Sequence, residues 1–319
     1  MCTAISYQST NHYFGRNLDL EYSFKEEVTI TPRNFPLHFC GGTVMHQHFS
    51  MIGIATVSKN YPLYYDATNE AGLSVAALNF PGNAIYFPED TRKDNIAPYA
   101  LIPWILGQCK SVSEAATLLK KVNIINISFS KEYPLTPLHW LIADKEKSVT
   151  VEQTESGLHV YSNPVGVLAN NPSFDYHMHN LQNYSRLTNQ EPACHIYDKP
   201  YSRGLGGFGL PGDLTSPSRF VRAAFTKEHS ITNQTDTADV SQFFHILSSV
   251  EQTEGCVKAD KGFVKTVYSS CCNTDKCIYY YTTYENRQIT GVHLHHTDLN
   301  CQKLSRYPLI RCQQIYMQN

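Results

Sequence analysis

The sequence predicts an α+β protein of four layers, a four-layer αββα sandwich of two antiparallel sheets between helical layers. Three observations predict it: β-type apolar runs follow one another closely at the start of the chain, helical patterns fill the middle, and strands return at the end. The short connections between successive strands favour antiparallel pairing over βαβ units. No linker-like segment or internal repeat interrupts the chain, so a single domain over residues 1–319 is expected.

The start of the chain predicts a β-hairpin whose first strand begins at Cys2. The β-prone runs 3–7 and 12–16 flank residues 9–11, which carry turn-forming side chains. A three-residue loop at this point places Cys2 opposite Leu18. A shift of one residue in register would move every side chain to the other face.

Cys2 directly follows Met1, so removal of Met1 leaves a thiol and a free α-amine on one residue. The pKa of a free α-amine is about 7.7–8.0 and that of a thiol about 8.5, so the amine can accept the thiol proton. In the predicted hairpin Arg16 lies on the face of Cys2, diagonal to it, where its charge favours the thiolate. Asp19, near the strand end, can hold the α-amine. The alternative is that Cys2 is an ordinary residue among ten cysteines.

The later elements follow from periodicity and from turn and capping signals. Ser111 and Glu114 form a capping-box pattern before one helix, and Ser216-Pro217 opens another. The predicted helices are 98–106, 115–121, 175–187, 216–227 and 237–250. The further predicted strands are 27–32, 51–57, 63–66, 73–78, 138–144, 148–153, 277–283 and 289–294.

Composition excludes several classes of protein. The chain of 319 residues is 42% hydrophobic and 17% charged, with a formal net charge of −2. Neither nucleic acid nor an anionic membrane is therefore an expected partner. No apolar run approaches the roughly 20 residues that span a bilayer, and no leader precedes Cys2, so a cytoplasmic location with reduced thiols is expected.

Two asparagines follow apolar strands and precede prolines, at Asn79 and Asn170. Such residues can donate hydrogen bonds to a developing oxyanion, although a turn-forming asparagine is the simpler interpretation of each one alone. Arg219 lies near a predicted helix N-terminus, where the dipole disfavours a cation, so we expect it to have a partner elsewhere. Cys271-Cys272 and the later histidines lack the spacing of a zinc site, and no metal is expected.

Taken together and in order, several motifs resemble the choloylglycine hydrolases, the bile salt hydrolase and penicillin V acylase branch of the N-terminal-nucleophile hydrolases. The motifs are Met1-Cys2-Thr3, Phe14-Gly15-Arg16-Asn17-Leu18-Asp19, Asn69-Glu70-x-Gly72-Leu73, Leu78-Asn79-Phe80-Pro81-Gly82, Leu138-His139-Trp140, Val151-Glu152-Gln153, Asn170-x-Pro172-x-Phe174-Asp175 and Gly209-x-Pro211-Gly212-Asp213-x-x-Ser216-Pro217-Ser218-Arg219-Phe220. The resemblance covers nearly the whole chain. It implies an αββα fold and amide hydrolysis by an N-terminal cysteine, without metal or organic cofactor.

The resemblance also implies roles for six residues. Cys2 supplies the thiolate and the α-amine, Arg16 and Asp19 set their charge states, Asn79 and Asn170 serve the oxyanion, and Arg219 orients the site. Asparagine at position 79 resembles the bile salt hydrolases, whereas the acylases tend to carry tyrosine there. Leu20 departs from the aromatic residue that is frequent in close relatives.

The expected reaction is hydrolysis of glycine- or taurine-conjugated bile salts through a thioester, with acyl transfer to free amines as a side activity. The alternatives are an acylase acting on penicillin V or acyl-homoserine lactones, and a non-catalytic binding protein. A sterol requires an apolar cleft. The family resemblance further implies a homo-oligomer, with a tetramer as the expected assembly. The candidate walls of the cleft are Leu20, Phe24, Phe80, Ile127, Phe129 and Leu135.

Overall fold

The secondary structure is taken from a computed structural model, which describes residues 1–193, 203–232 and 235–319. The helices are α1 Leu101–Gln108, α2 Val112–Leu119, α3 Phe174–Gln182, α4 Ser216–Glu228 and α5 Asp236–Ser248. The strands are β1 Cys2–Gln8, β2 His12–Leu20, β3 Glu27–Thr31, β4 Leu37–His38, β5 Val44–Met45, β6 Met51–Ser58, β7 Tyr61–Asn69, β8 Ser74–Asn79, β9 Asp94–Ile96, β10 Val122–Ile124, β11 Leu138–Ala143, β12 Ser148–Thr154, β13 Gly157–Ser162, β14 Val167–Leu168, β15 Lys258–Ala259, β16 Gly262–Phe263, β17 Lys265–Asn273, β18 Ile278–Thr283, β19 Thr290–His293 and β20 Ser305–Pro308.

Two large sheets form the centre of the molecule. One has six strands in the order β14-β1-β2-β17-β18-β19, and the other has eight in the order β13-β12-β11-β8-β7-β6-β3-β20. Neighbouring strands are antiparallel throughout both sheets. The prediction of two antiparallel sheets is therefore confirmed.

The alternation of side chains along β11 shows how the layers stack. Leu141 packs into the cluster that the two sheets share, whereas Trp140 and Ile142 on the opposite face pack with Ile105 of α1. On the far side of the six-stranded sheet, the shared cluster continues into α4 and α5 through side chains such as Phe243. The order of layers is helix, sheet, sheet, helix, as predicted.

The N-terminal hairpin has the predicted register, with Cys2 opposite Leu18. Strand β2 runs between β1 and β17, so both of its edges are paired. A Cβ atom added at Gly15 would lie 1.9 Å from the backbone oxygen of Ser270 on β17. Only glycine therefore fits at this point of the sheet, beside Arg16.

Strand β17 is the main element that the sequence did not predict. It occupies the middle of the six-stranded sheet, and every residue in it except Lys265 is buried. Serines and cysteines fill its second half, so neither β-branched residues nor clear polar alternation announce it. Burial on both faces, by the second sheet and by α5, makes these small side chains fit.

The helix boundaries differ from the predicted ones by a few residues. Pro98–Ala100 forms a 3-10 turn before α1, and α3 ends at Gln182 rather than at 187. Ser111 caps α2 as predicted, because its hydroxyl accepts a hydrogen bond of 3.3 Å from Glu114 N. Among the described residues, no helix is long and apolar enough to cross a membrane.

The cysteines of the described ranges are all free. They include Cys271 and Cys272, which are fully buried in β17, while Cys194 lies outside the described residues. Within those same ranges, no three or more histidine, cysteine or acidic side chains are grouped so that they could hold a metal ion.

Candidate active site

Cys2 lies at the start of β1 and is 2% exposed. Its register partner Leu18 and the next pair, Ala4 and Arg16, share one face of the hairpin with it. Met1 is still attached: its amine donates a hydrogen bond of 2.6 Å to the backbone oxygen of Asp19, and Asp19 N donates one of 2.9 Å to Met1 O. The structure therefore describes the chain with Met1 in place.

Arg16 lies between the two sheets with no exposed surface. Its Nη1 donates hydrogen bonds to the backbone oxygens of Tyr65, at 3.0 Å, and of Ala77 on the eight-stranded sheet. Burial alone lowers the pKa of this guanidinium, but the neighbouring Cys2 thiol and buried acidic groups raise it above its ordinary value. Nη2 has no hydrogen-bond partner among the described residues. A permanent cation with an unused donor thus lies beside the thiol.

Asp19 is fully buried at the end of β2. Thr266 donates a hydrogen bond of 2.7 Å to its Oδ1, and Oδ2 has no hydrogen-bond partner in the described part of the chain. Burial raises the pKa of this carboxyl, while Arg219 and the N-terminal amine act in the opposite direction. Asp19 therefore lies within electrostatic reach of the N-terminal amine, which in this structure belongs to Met1.

Asn170 connects three of the other predicted residues. Its Oδ1 accepts hydrogen bonds from Cys2 N at 2.6 Å and from Arg219 Nη2 at 2.8 Å. Its Nδ2 donates one of 2.7 Å to the backbone oxygen of Asn79. A side-chain amide has two N–H hydrogens, so one remains for a further acceptor. Two asparagines from separate strand ends thus contact each other, and one of them contacts Cys2.

Arg219 has the partners that its position predicted. It is the fourth residue of α4, and its Nη1 donates to Cys2 O at 2.5 Å and to Thr3 Oγ1 at 2.6 Å. Burial lowers the pKa of the guanidinium, opposed by Asp19 and Cys2. The anion that a helix N-terminus prefers is supplied by Asp213, which accepts a hydrogen bond of 2.6 Å from Ser218.

The backbone N–H and C=O of Asn79 point to the edge of β8 that faces β7, away from β11. Phe80 N donates to Pro137 O at 2.8 Å, and successive amides of an antiparallel strand point to alternate edges. The register pairing of β7 with β8 ends at Asp66 and Ala76. The Asn79 N–H thus points to a part of this edge where β8 is no longer paired with β7.

The predicted pocket wall consists of two loops that meet through an aromatic side chain. The ring of Tyr133 lies 6.5 Å from that of Phe24 and 6.2 Å from that of Phe129. Leu20 and Leu135 are half-buried at the edges of these loops, and Ile127 is 37% exposed. These five predicted residues therefore belong to adjoining, partly exposed segments.

Phe80 does not lie with them. Its side chain is fully buried and stacks on the ring of His139, with the centroids 4.3 Å apart and the planes 5° from parallel. The expectation that Phe80 lines an open cleft is not supported, because the side chain packs inward beneath the strand end.

Sequence reasoning missed four buried polar residues around the centre. Asp66 accepts hydrogen bonds from Tyr268 at 2.7 Å and Ser270 at 3.1 Å across the sheets, and burial raises its pKa. The other three, His139, Glu152 and His177, surround the backbone before and after Asn170. For Asp66, His139 and Glu152 the available signal was an ionisable residue inside an otherwise apolar strand, since such groups are rarely buried without a partner.

Comparison with known proteins places this geometry in a family. The sequence profile described as "Linear amide C-N hydrolases, choloylglycine hydrolase family" matches residues 2–307. A Lactiplantibacillus plantarum protein named "Bile salt hydrolase/transferase" is 53% identical over 324 residues, which cover 100% of both chains. A Clostridium perfringens protein of the same name is 39% identical over 96% of each chain.

Solved structures agree. A mutant of conjugated bile acid hydrolase from Clostridium perfringens superposes with a TM-score of 0.93 at 37% identity, covering 100% of both chains. Penicillin V acylase from Agrobacterium tumefaciens has a TM-score of 0.77 at 17% identity over 96% of this chain and 90% of that one, a likeness of fold alone. The chain belongs to the choloylglycine hydrolase family of linear amide C–N hydrolases.

Proposed function

We propose that this hydrolase cleaves the amide bond of glycine- or taurine-conjugated bile salts, acting as one catalytic domain with Cys2 as its nucleophile once Met1 is removed. The observation that carries the proposal is the contact of Asn170 with Cys2 N, Arg219 and Asn79. The substrate class is supported by the names of the relatives in Lactiplantibacillus plantarum and Clostridium perfringens.

In the first half-reaction the α-amine of Cys2 takes the thiol proton, and the thiolate attacks the amide carbon. Arg16, whose Nη2 is unused, stabilises the thiolate, and Asp19 holds the α-ammonium. The oxyanion accepts hydrogen bonds from Asn79 N–H and from the remaining Asn170 Nδ2 hydrogen. The α-ammonium then gives its proton to the departing nitrogen, so the C–N bond breaks and free glycine or taurine leaves.

In the second half-reaction the same α-amine removes a proton from water, which attacks the thioester carbon. The oxyanion is held by the same two donors, the C–S bond breaks to release the bile acid, and the α-ammonium returns its proton to the sulfur, which restores the thiol. Arg219 keeps the Cys2 carbonyl and the Asn170 amide in place throughout. Each step uses groups of this chain and of water.

The thioester also permits acyl transfer. An amine that reaches it in place of water forms a new amide, and two relatives bear names that include transferase. New conjugates are therefore expected when turnover proceeds with an excess of a free amino acid. If only free bile acid forms at every amine concentration, acyl transfer is not an activity of this protein.

The decisive test measures amino acid release from taurocholate and glycocholate, with the intact mass recorded on the same sample. We expect release from protein that lacks Met1 and none from Cys2→Ser protein. Penicillin V and an acyl-homoserine lactone are assayed in parallel. If Met1-free protein hydrolyses one of these and no bile salt, the proposed substrate is wrong while the chemistry stands.

We further propose a cytoplasmic homotetramer, which is supported by the resemblance to the family. Light scattering on the purified protein tests the assembly, and fractionation of cells that produce it tests the location. A monomer at micromolar concentration contradicts the first, and activity in the medium contradicts the second.

A further inference from the structure

The backbone around Asn170 is held by two buried histidines that come from different layers. His139 of β11 places its Nε2 2.9 Å from the backbone oxygen of Ala169. His177 of α3 places its Nε2 2.8 Å from the backbone oxygen of Asn170 itself. Both histidines have no exposed surface. A carbonyl oxygen can only accept, so each ring must carry its hydrogen on Nε2.

The ring of His139 is fixed at its other nitrogen as well. Its Nδ1 lies 3.0 Å from Glu152 Oε1 on the neighbouring strand β12, and because Nε2 is already a donor this contact requires one further proton, shared between Nδ1 and the carboxyl. That carboxylate oxygen also accepts a hydrogen bond of 3.0 Å from Phe174 N, at the start of α3. Glu152 therefore links β11, β12 and α3, and the stacked ring of Phe80 covers one face of His139.

His177 is held in the neutral form. Its pKa is lowered to about 4, chiefly by burial; the hydrogen bond to Asn170 opposes this shift, and the nearby His139 and Arg219 contribute to it. At neutral pH it is an uncharged donor to Asn170 O. Its ring stacks on Phe220, with centroids 4.8 Å apart, and Phe220 is the residue that follows Arg219 in α4.

The amide nitrogen of Asn170 is fixed too, because it donates a hydrogen bond of 2.8 Å to Ser216 Oγ. With both flanking carbonyls and its own N–H engaged, the Asn170 backbone has little freedom. The side chain that grows from it has to meet Cys2 N, Arg219 and Asn79 O at 2.6–2.8 Å.

We propose that His177, together with the His139–Glu152 pair, acts as a positioning residue that sets the place of the Asn170 side chain and hence of the Cys2 amine and the oxyanion donors. The inference rests on the proposed function of the site. It adds two histidines and a carboxylate that touch no reacting atom, and it gives a chemical role to ionisable groups that an apolar core would otherwise exclude.

The test compares His177→Leu with His177→Gln in Met1-free protein. The glutamine retains an Nε2 donor near the position of the imidazole one, and leucine has none. We expect kcat per titrated Cys2 thiol to fall roughly 10²-fold in His177→Leu, with KM nearly unchanged, because a small displacement of a catalytic group has an effect of this size. His177→Gln should recover most of the loss.

His179→Leu is the matched control. His179 lies on the same helix, is exposed, and its Nδ1 contacts the backbone oxygen of Asp175 at 2.7 Å. It should leave kcat unchanged. If His177→Leu retains wild-type kcat, or if His177→Gln is as impaired as His177→Leu in folded protein, the positioning role is wrong. If His177→Leu does not fold, Glu152→Gln supplies the same comparison.

A second readout separates this inference from the proposed substrate. The rate at which iodoacetamide alkylates Cys2, followed by peptide mass, depends on the site and not on any bile salt. We expect a slower rate in His177→Leu than in His179→Leu. Slow alkylation in a protein that hydrolyses no bile salt overturns the substrate and supports the positioning role, whereas equal rates overturn the positioning role.

Discussion

The proposed catalytic centre and the predicted pocket wall are built from different parts of the molecule. Residues of the centre stand on strands β1, β2 and β8, on helix α4 and, for Asn170, just after β14; apart from the half-buried Asn79 they are buried, and hydrogen bonds of 2.5–2.8 Å run among them. The wall consists of loops around Phe24 and Phe129, whose rings lie 6.5 and 6.2 Å from that of Tyr133, within the range of aromatic contacts.

Different kinds of interaction hold the two regions. Strand pairing and buried ion–dipole contacts fix the reacting groups, because each of them has a defined partner. The loops are held by aromatic contacts and by the carboxylate of Glu26, which accepts from Phe24 N at 2.7 Å and from Arg311 Nη2 at 3.0 Å. Substitutions should therefore affect stability and turnover in the first region and substrate affinity in the second.

The largest expected effect tests which region Phe80 belongs to. Phe80→Ala should lower the free energy of unfolding by about 3–5 kcal/mol, as expected for a fully buried phenylalanine. Phe24→Ala, in the half-buried loop, should raise KM for conjugated bile salts and leave stability nearly unchanged. Urea unfolding and steady-state kinetics on both variants measure the contrast. A stable Phe80→Ala protein with a raised KM would show that Phe80 lines the substrate pocket after all.

The next effect concerns neighbouring asparagines in the centre. Asn170→Ala should lower kcat about 10²–10³-fold, the usual loss when one oxyanion donor is removed. Asn171→Ala is the matched control, because its Nδ2 contacts Pro81 O and Asn83 Oδ1 and not Cys2. Kinetics normalised to thiol titration decide it, and equal losses in both variants would contradict the assignment of Asn170.

Acid should weaken the buried framework through His12 and His177, whose pKa values burial lowers to about 4 from an ordinary 6.5. A histidine with a folded-state pKa below its unfolded value binds fewer protons when folded, so stability falls as pH drops from about 6.5 to 4. The loss is up to about 3 kcal/mol for each histidine. Urea unfolding between pH 7 and 4 should show this slope, and His12→Gln should reduce it; an unchanged slope in that variant contradicts the assignment.

The smallest effect is expected at the wall. Arg311 lies in the C-terminal segment and donates to Glu26 and to Ser23 Oγ, at 2.7 Å, beside the Phe24 loop. Arg311→Ala should raise KM by less than about fivefold, because a partly exposed ion pair contributes roughly 0.2–1 kcal/mol. Arg306→Ala is the control, since its ion pair holds Glu27 on β3 instead of the loop. Equal KM values in the two variants would mean that the contacts of Arg311 in the C-terminal segment do not influence substrate binding.

The hairpin could be predicted because its register follows from loop length alone, and Cys2 does pair with Leu18. A distant partner for Arg219 could also be predicted, since a helix N-terminus disfavours its positive charge. The contacts of His139 and His177 could not be predicted from the sequence, because they form only where two layers meet at the backbone of Ala169 and Asn170. Strand β17 was not predicted, because its serines and cysteines favour a strand only when both faces of the sheet are covered.

Gly15 has a consequence for inheritance. It stands one residue before Arg16, and any side chain there would collide with Ser270 O at 1.9 Å. In a library with every codon randomised and selected for hydrolysis, codon 15 should return glycine alone, while codons for the wall loops return many residues. Descendants of this gene can then diverge in substrate preference while codon 15 continues to encode glycine, because the shared chemistry depends on it.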